Sequence, residues 1–125
     1  MAVYPGARPL RDKDEPESAD VNVGGSLFGV KVVAAKFGSS DAQDRIVEFY
    51  RKDLASFGEV TACRGNVDFR RDSSGTRRPV CKEKLFEHEL NLVAGTEEDQ
   101  HIVAVKPRGD GTEFSLVHVQ TRGKN

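Results

Sequence analysis

Apolar and polar positions alternate along much of this chain, and one segment departs from the alternation with a longer period. In SSDAQDRIVEFYRKDLASFG (39–58), Ile46, Phe49, Tyr50, Leu54 and Phe57 recur at i, i+3, i+4, i+8 and i+11. That spacing puts them on one stripe of a helix. Asp44, Arg45, Glu48, Arg51, Lys52 and Asp53 fill the remaining surface. Ser39, Ser40 and Asp41 suit an N-cap, and Gly58 suits a C-terminal stop. The stripe predicts a helix packed on a sheet, with Phe49 and Tyr50 in the core.

The flanking segments have the shorter period. LFGVKVVAAKF (27–37) is rich in β-branched and aromatic residues and bounded by glycines, which are strand signals. EVTAC (59–63), KLFEHELNLVAG (84–95), HIVAVK (101–106) and FSLVHVQTR (114–122) follow with strand character. In the second of these, Phe86, His88, Leu90 and Leu92 share a face, with Glu87, Glu89 and Asn91 on the other. GTEEDQ reads as a turn. PRGDGTE reads as a hairpin, with Asp110-Gly111 supplying positive backbone φ. Residues 64–83 are crowded with turn formers and read as an irregular loop. Short connections imply antiparallel neighbours. The expected architecture is α+β: an antiparallel sheet of about five strands in β-α-β-β-β-β order, with the helix on one face. One helix leaves the second face to be solvated, covered by the loop, or buried in a homodimer.

Pro5, Pro9 and Pro16 stand among charges in residues 5–20. Such a segment buries little apolar surface, so residues 1–20 read as an extended or disordered arm before a single domain over 21–125. The 125 residues suffice for one core. Charged residues are 31% of the chain and the net charge is -1, which argues against a nucleic-acid binder. The mean hydropathy of -0.54 is low for a globular domain. No apolar run is long enough for a transmembrane helix. The first residues lack the apolar middle of a signal peptide. Either the protein is cytosolic, or the chain is a mature form whose signal was removed.

Four groups of residues carry candidate chemistry. Cys63 and Cys81 flank the 64–83 loop; a disulfide between them would pin it and add about 3 kcal/mol through the unfolded state. Such a bond implies an oxidising compartment; two reduced thiols are the alternative. Their spacing fits no CxxC redox or zinc pattern. Arg70, Arg71, Arg77 and Arg78, with Phe69 as a stacking surface, form the one basic concentration, suited to an anionic ligand or a protein partner. His88, His101 and His118 fall in predicted strands or at the start of one. Parity groups His88 with Leu90 and Leu92, and His118 with Phe114 and Leu116, so adjacent strands bring imidazoles together with Glu87 or Glu89. Satisfied strand histidines are the ordinary reading, a metal site the alternative. Arg108-Gly109-Asp110 spells an adhesion tripeptide, though a hairpin tip requires Gly-Asp-Gly in any case. No G-x-S-x-G, Walker or GxGxxG pattern occurs. Neither a catalytic residue nor a cofactor is expected.

YPGA (4–7), the strand followed by SSD, VEFYRKDLASFG (47–58), EEDQHIVAVKP (97–107) and GTEFSLVHVQTR (111–122) together resemble a family of uncharacterised bacterial exported or lipoprotein-type domains. The likeness spans nearly the whole chain. It implies an extracytoplasmic location, periplasmic or anchored through a segment outside this chain, and no established activity. Residues 30–64, through SSDAQDRIVEFYRKDL, are also similar to a vicinal-oxygen-chelate module. That superfamily uses paired βαβββ modules and a metal centre of His and Glu on the strands. This chain has one predicted helix, and its strand VKVVAAKF has no histidine. A metal enzyme of that type would therefore need dimerisation to complete its site. The sequence thus supports a non-enzymatic extracytoplasmic binding domain, with a chelate-type metal enzyme as the alternative.

Overall fold

Residue parity along three long strands decides which side chains form the core. The computed structural model describes residues 1–10, 30–65, 67–71, 73–81 and 89–121. Its elements are β1 (Arg8–Pro9), β2 (Val30–Ser39), α1 (Gln43–Leu54), a 3-10 turn (Ala55–Phe57), β3 (Thr61–Cys63), β4 (Val67–Arg71), β5 (Arg77–Cys81), β6 (Leu90–Thr96), β7 (Asp99–Arg108) and β8 (Gly111–Thr121). Six strands form an antiparallel sheet in the order β1-β2-β8-β7-β6-β3, and β4 and β5 form a separate hairpin. The architecture is broadly α+β, as the sequence predicts.

Alternation across this sheet produces rows of facing side chains. On the helix side the first row is Phe37–Phe114–Val105–Leu90 and the second is Ala35–Leu116–Val103–Leu92. Ile46, Tyr50 and Leu54 of α1 are fully buried with these rows. Phe37 and Phe114 stack at 5.6 Å between ring centroids. The third row is Val33–His118–His101–Ala94, so the same face turns polar toward one end.

The strand count exceeds the expectation. Residues 64–83, expected to be irregular, contain the β4–β5 hairpin, with Val67 opposite Cys81 and Phe69 opposite Pro79. Proline is tolerated there because the hairpin has only two strands and each exposes a free edge. Residues 1–10, expected within an arm, dock on the helix. The Tyr4 N–H donates to the Tyr50 hydroxyl at 2.9 Å, and that hydroxyl donates to the Ala2 carbonyl at 2.8 Å. Residues 11–20 lie outside the described residues.

Two details of α1 also differ. Ser39 belongs to β2, and its Oγ accepts from the Asp41 N–H at 3.0 Å. The N-cap is Ala42, without a side-chain bond. Phe49 is half-buried, edge-on to Tyr4 and Tyr50, and Phe57 is 36% exposed. At the β7–β8 turn the positive φ falls on Gly109, at 57°, and not on Asp110 or Gly111. A two-residue hairpin with glycine in its first central position takes that form. Among the described residues, no helix is long and apolar enough to cross a membrane.

These packing differences set an order of mutational cost. Phe114→Ala should destabilise the protein by about 3–5 kcal/mol, and Phe49→Ala by clearly less. Urea denaturation of both variants checks this; equal losses would mean that Phe49 is as deeply packed as Phe114.

Candidate functional site

The third row places His101 of β7 directly opposite His118 of β8. Asp99 lies two residues before His101, and strand periodicity returns its side chain to the same face. The 3-10 turn after α1 continues the apolar stripe one step beyond Leu54 and brings Phe57 onto the row. Phe57 stacks on His101 with centroids 3.7 Å apart and planes 8° apart. His101 stacks on His118 at 4.3 Å and 20°. His118 Nε2 meets Asp99 Oδ1 at 2.6 Å. A ladder of three rings thus ends on a carboxylate.

Environment separates the two imidazoles. His118 keeps a side-chain exposure of 32% and Asp99 one of 53%. His101 is only 7% exposed. Its Nδ1 is buried and has no hydrogen-bond partner among the described residues. A Cβ built on Gly95 would lie 3.4 Å from that nitrogen and 2.2 Å from the Asp99 carbonyl oxygen. Glycine, at φ 103°, is what lets the β6 backbone approach the Asp99 carbonyl so closely. Leaving Nδ1 unsatisfied costs about 1–3 kcal/mol. Burial pulls the His101 pKa below its ordinary value, and the His118 charge adds to this, while Asp99 opposes it. The net effect favours the neutral imidazole. One ligand atom from each of Asp99, His101 and His118 falls within 4.8 Å of the other two.

The sequence places His118 with Phe114 and Leu116, and the structure agrees. The carboxylate is Asp99, where the sequence reading looked to Glu87 or Glu89. Glu87 and His88 lie outside the described residues. His118 has Asp99 as its partner, whereas His101 Nδ1 has none among the described residues.

The arginines do not gather at one point. Alternation along the hairpin sends Arg70 and Arg78 to one side and Arg71 and Arg77 to the other. Arg77 forms two hydrogen bonds to the Glu97 carboxylate and a third, at 3.0 Å, to the Phe69 carbonyl. Arg78 Nη1 lies 3.4 Å from Glu59. Arg71 donates to the Gly75 carbonyl at 3.0 Å, and Arg70 lies 4.0 Å from Asp68. Phe69 is half-buried opposite Pro79. Cys63 and Cys81 are bonded. Cys63 shares the sheet's second face with Asn91, whose side chain donates to the Gly65 carbonyl at 2.6 Å. The hairpin is thereby fastened to the β3 edge on the side away from α1.

No protein-family model, curated protein or solved structure matches the chain.

The lowered His101 pKa has a consequence for stability. The unfolded chain binds more protons than the folded one below pH about 6.5, the ordinary histidine value, so stability falls as pH drops through that range toward the folded pKa. The melting temperature should therefore fall between pH 7 and pH 5 by less in His101→Phe, which keeps the stacked ring, than in the wild type. Equal falls in the two proteins would remove His101 from the pH dependence.

Proposed function

We propose that the protein is a non-enzymatic binding domain that works outside the cytoplasm, and that its binding centre is the Asp99–His101–His118 cluster beside Phe57. One observation carries this reading: a buried imidazole nitrogen with no partner among the described residues, next to a half-exposed imidazole and an exposed carboxylate. Folding has left donor capacity unused there, and buried polar groups ordinarily find a partner. The hairpin arginines have the opposite character. They are distributed over two faces and engaged with carboxylates and carbonyls, so a basic anion site receives less support.

The Cys63–Cys81 bond supports the compartment. Disulfides persist in oxidising environments, and this one closes a sequence separation of 18. It agrees with the export implied by the resemblance to exported bacterial domains.

A second reading, a metal-dependent enzyme of chelate type, draws support from two imidazoles and a carboxylate converging on strands. It lacks the ligand that such a module needs on the strand before its helix, because Val30–Ser39 contains no histidine.

Protein made by a secretory route should show no free thiol after denaturation. The double variant Cys63→Ser/Cys81→Ser should lose about 3 kcal/mol of stability. Two free thiols would count against export. Titration with inorganic phosphate, followed by amide NMR, should leave residues 67–81 unshifted. Saturable shifts there would return the binding centre to the arginines.

A further inference from the structure

The cluster at the open end of the helix-covered face has the composition of a metal site. We infer that Asp99, His101 and His118 bind one divalent transition-metal ion of the imidazole-preferring class, such as zinc(II) or copper(II). This rests on the reading of the cluster as the binding centre and names its ligand.

Three observations support it. The first is the donor set: two imidazoles and one carboxylate suit zinc, copper, nickel and cobalt, whereas magnesium and calcium take sets built from oxygen alone. The second is proximity, since one ligand atom from each residue already lies within 4.8 Å of the others. Zinc bonds of about 2.0–2.2 Å set donors roughly 3–4 Å apart, so His118 and Asp99, now 2.6 Å apart, must separate slightly, while no pair of donors has to close by more than about 1 Å. Asp99 is exposed and His118 half-exposed, so they are the members with room to make that adjustment. The third is the unspent nitrogen. His101 lies between the rings of Phe57 and His118, and its buried Nδ1 has no partner among the described residues.

The parts have distinct tasks. His101 is the less mobile ligand, since it is buried and stacked under Phe57, whereas His118 must leave its stack on His101 to turn a nitrogen to the ion. His118 and Asp99 close on the ion from the solvent side and give up their mutual contact in doing so. Three protein donors leave at least one coordination position open. An external imidazole, carboxylate or water can complete the shell. Dimerisation is not required to assemble these three ligands, because all come from β7 and β8 of one chain.

The test is calorimetric titration of the full chain, freed of metal with a chelator that is then removed, with Zn(II) at neutral pH. Co(II) absorption reports the coordination geometry. One ion per chain is expected, with His118→Ala and Asp99→Asn each weakening it roughly tenfold or more. Arg77→Ala should leave it unchanged, and Mg(II) should not bind. Because His118→Ala could disturb folding, imidazole nitrogen NMR of the wild type supplies a second readout: His101 and His118 should both shift on Zn(II) addition. Absence of Zn(II) and Co(II) binding, or binding that leaves these two rings unshifted, overturns the metal site. Failure of the wider reading has other signs, free thiols or phosphate shifts at the hairpin, so the two failures are distinguishable.

Discussion

The helix is shorter than the sheet it covers, and the rest of the structure is arranged around that mismatch. Twelve residues of α-helix span about 18 Å. The ten residues of β7 span about 34 Å. Even laid along the strands, α1 reaches only part of the face. Ile46, Tyr50 and Leu54 seal the rows of Phe114 and Leu116, and there the core is apolar and closed. One step beyond, the covering element is the 3-10 turn, and what it supplies is a single ring, Phe57. The row beneath that ring is where the sheet carries its opposed histidines.

This gradient from sealed core to half-open edge accounts for the unequal pair. His101 lies deep enough to lose most of its solvent exposure, which disfavours its charged form, while His118 stays half-exposed beside a carboxylate. A valine at either position would extend the apolar face with less electrostatic cost. An unsatisfied nitrogen under a stacked aromatic ring is an expense of about 1–3 kcal/mol against a net stability that is usually only 5–15 kcal/mol. The rest of the fold bears it: the Phe37–Phe114 stack, the Tyr50 hydroxyl that ties the first residues to α1, and a disulfide holding the hairpin at the far edge.

Much of the frame was legible because period alone determines it. The strands from Asp99 and Gly111 show the expected alternation, the strand from Leu90 is buried on both faces at Leu92–Ala94, and the 46–50–54 stripe is buried as its spacing requires. What escaped was of three kinds. The β4–β5 hairpin has only two apolar positions per strand on its shared face, Val67 and Phe69 opposite Cys81 and Pro79, and a run that short among arginines, with a proline inside it, gives no clear strand period. The docking of residues 1–10 depends on Tyr50 hydrogen bonds across more than forty positions, and nothing local encodes those. Within the site, the parity of His118 was readable, whereas the register that sets it opposite His101 depends on the length of the β7–β8 turn. Asp99 was hidden inside what looked like a turn. Its place two residues before His101 was the available clue, and it acquires meaning only once β7 is known to begin there. Phe57 was read as core because it completes the stripe; it does complete it, but lands on an imidazole.

The account therefore stands on one arrangement of rings, and through-space contacts between ring protons test it most directly. A nuclear Overhauser spectrum of the wild-type protein should connect the Phe57 ring with His101, and the His101 ring with His118. A spectrum in which the rings of Phe57 and His118 show no contact to His101 would contradict the register and remove the cluster from which the functional reading is built.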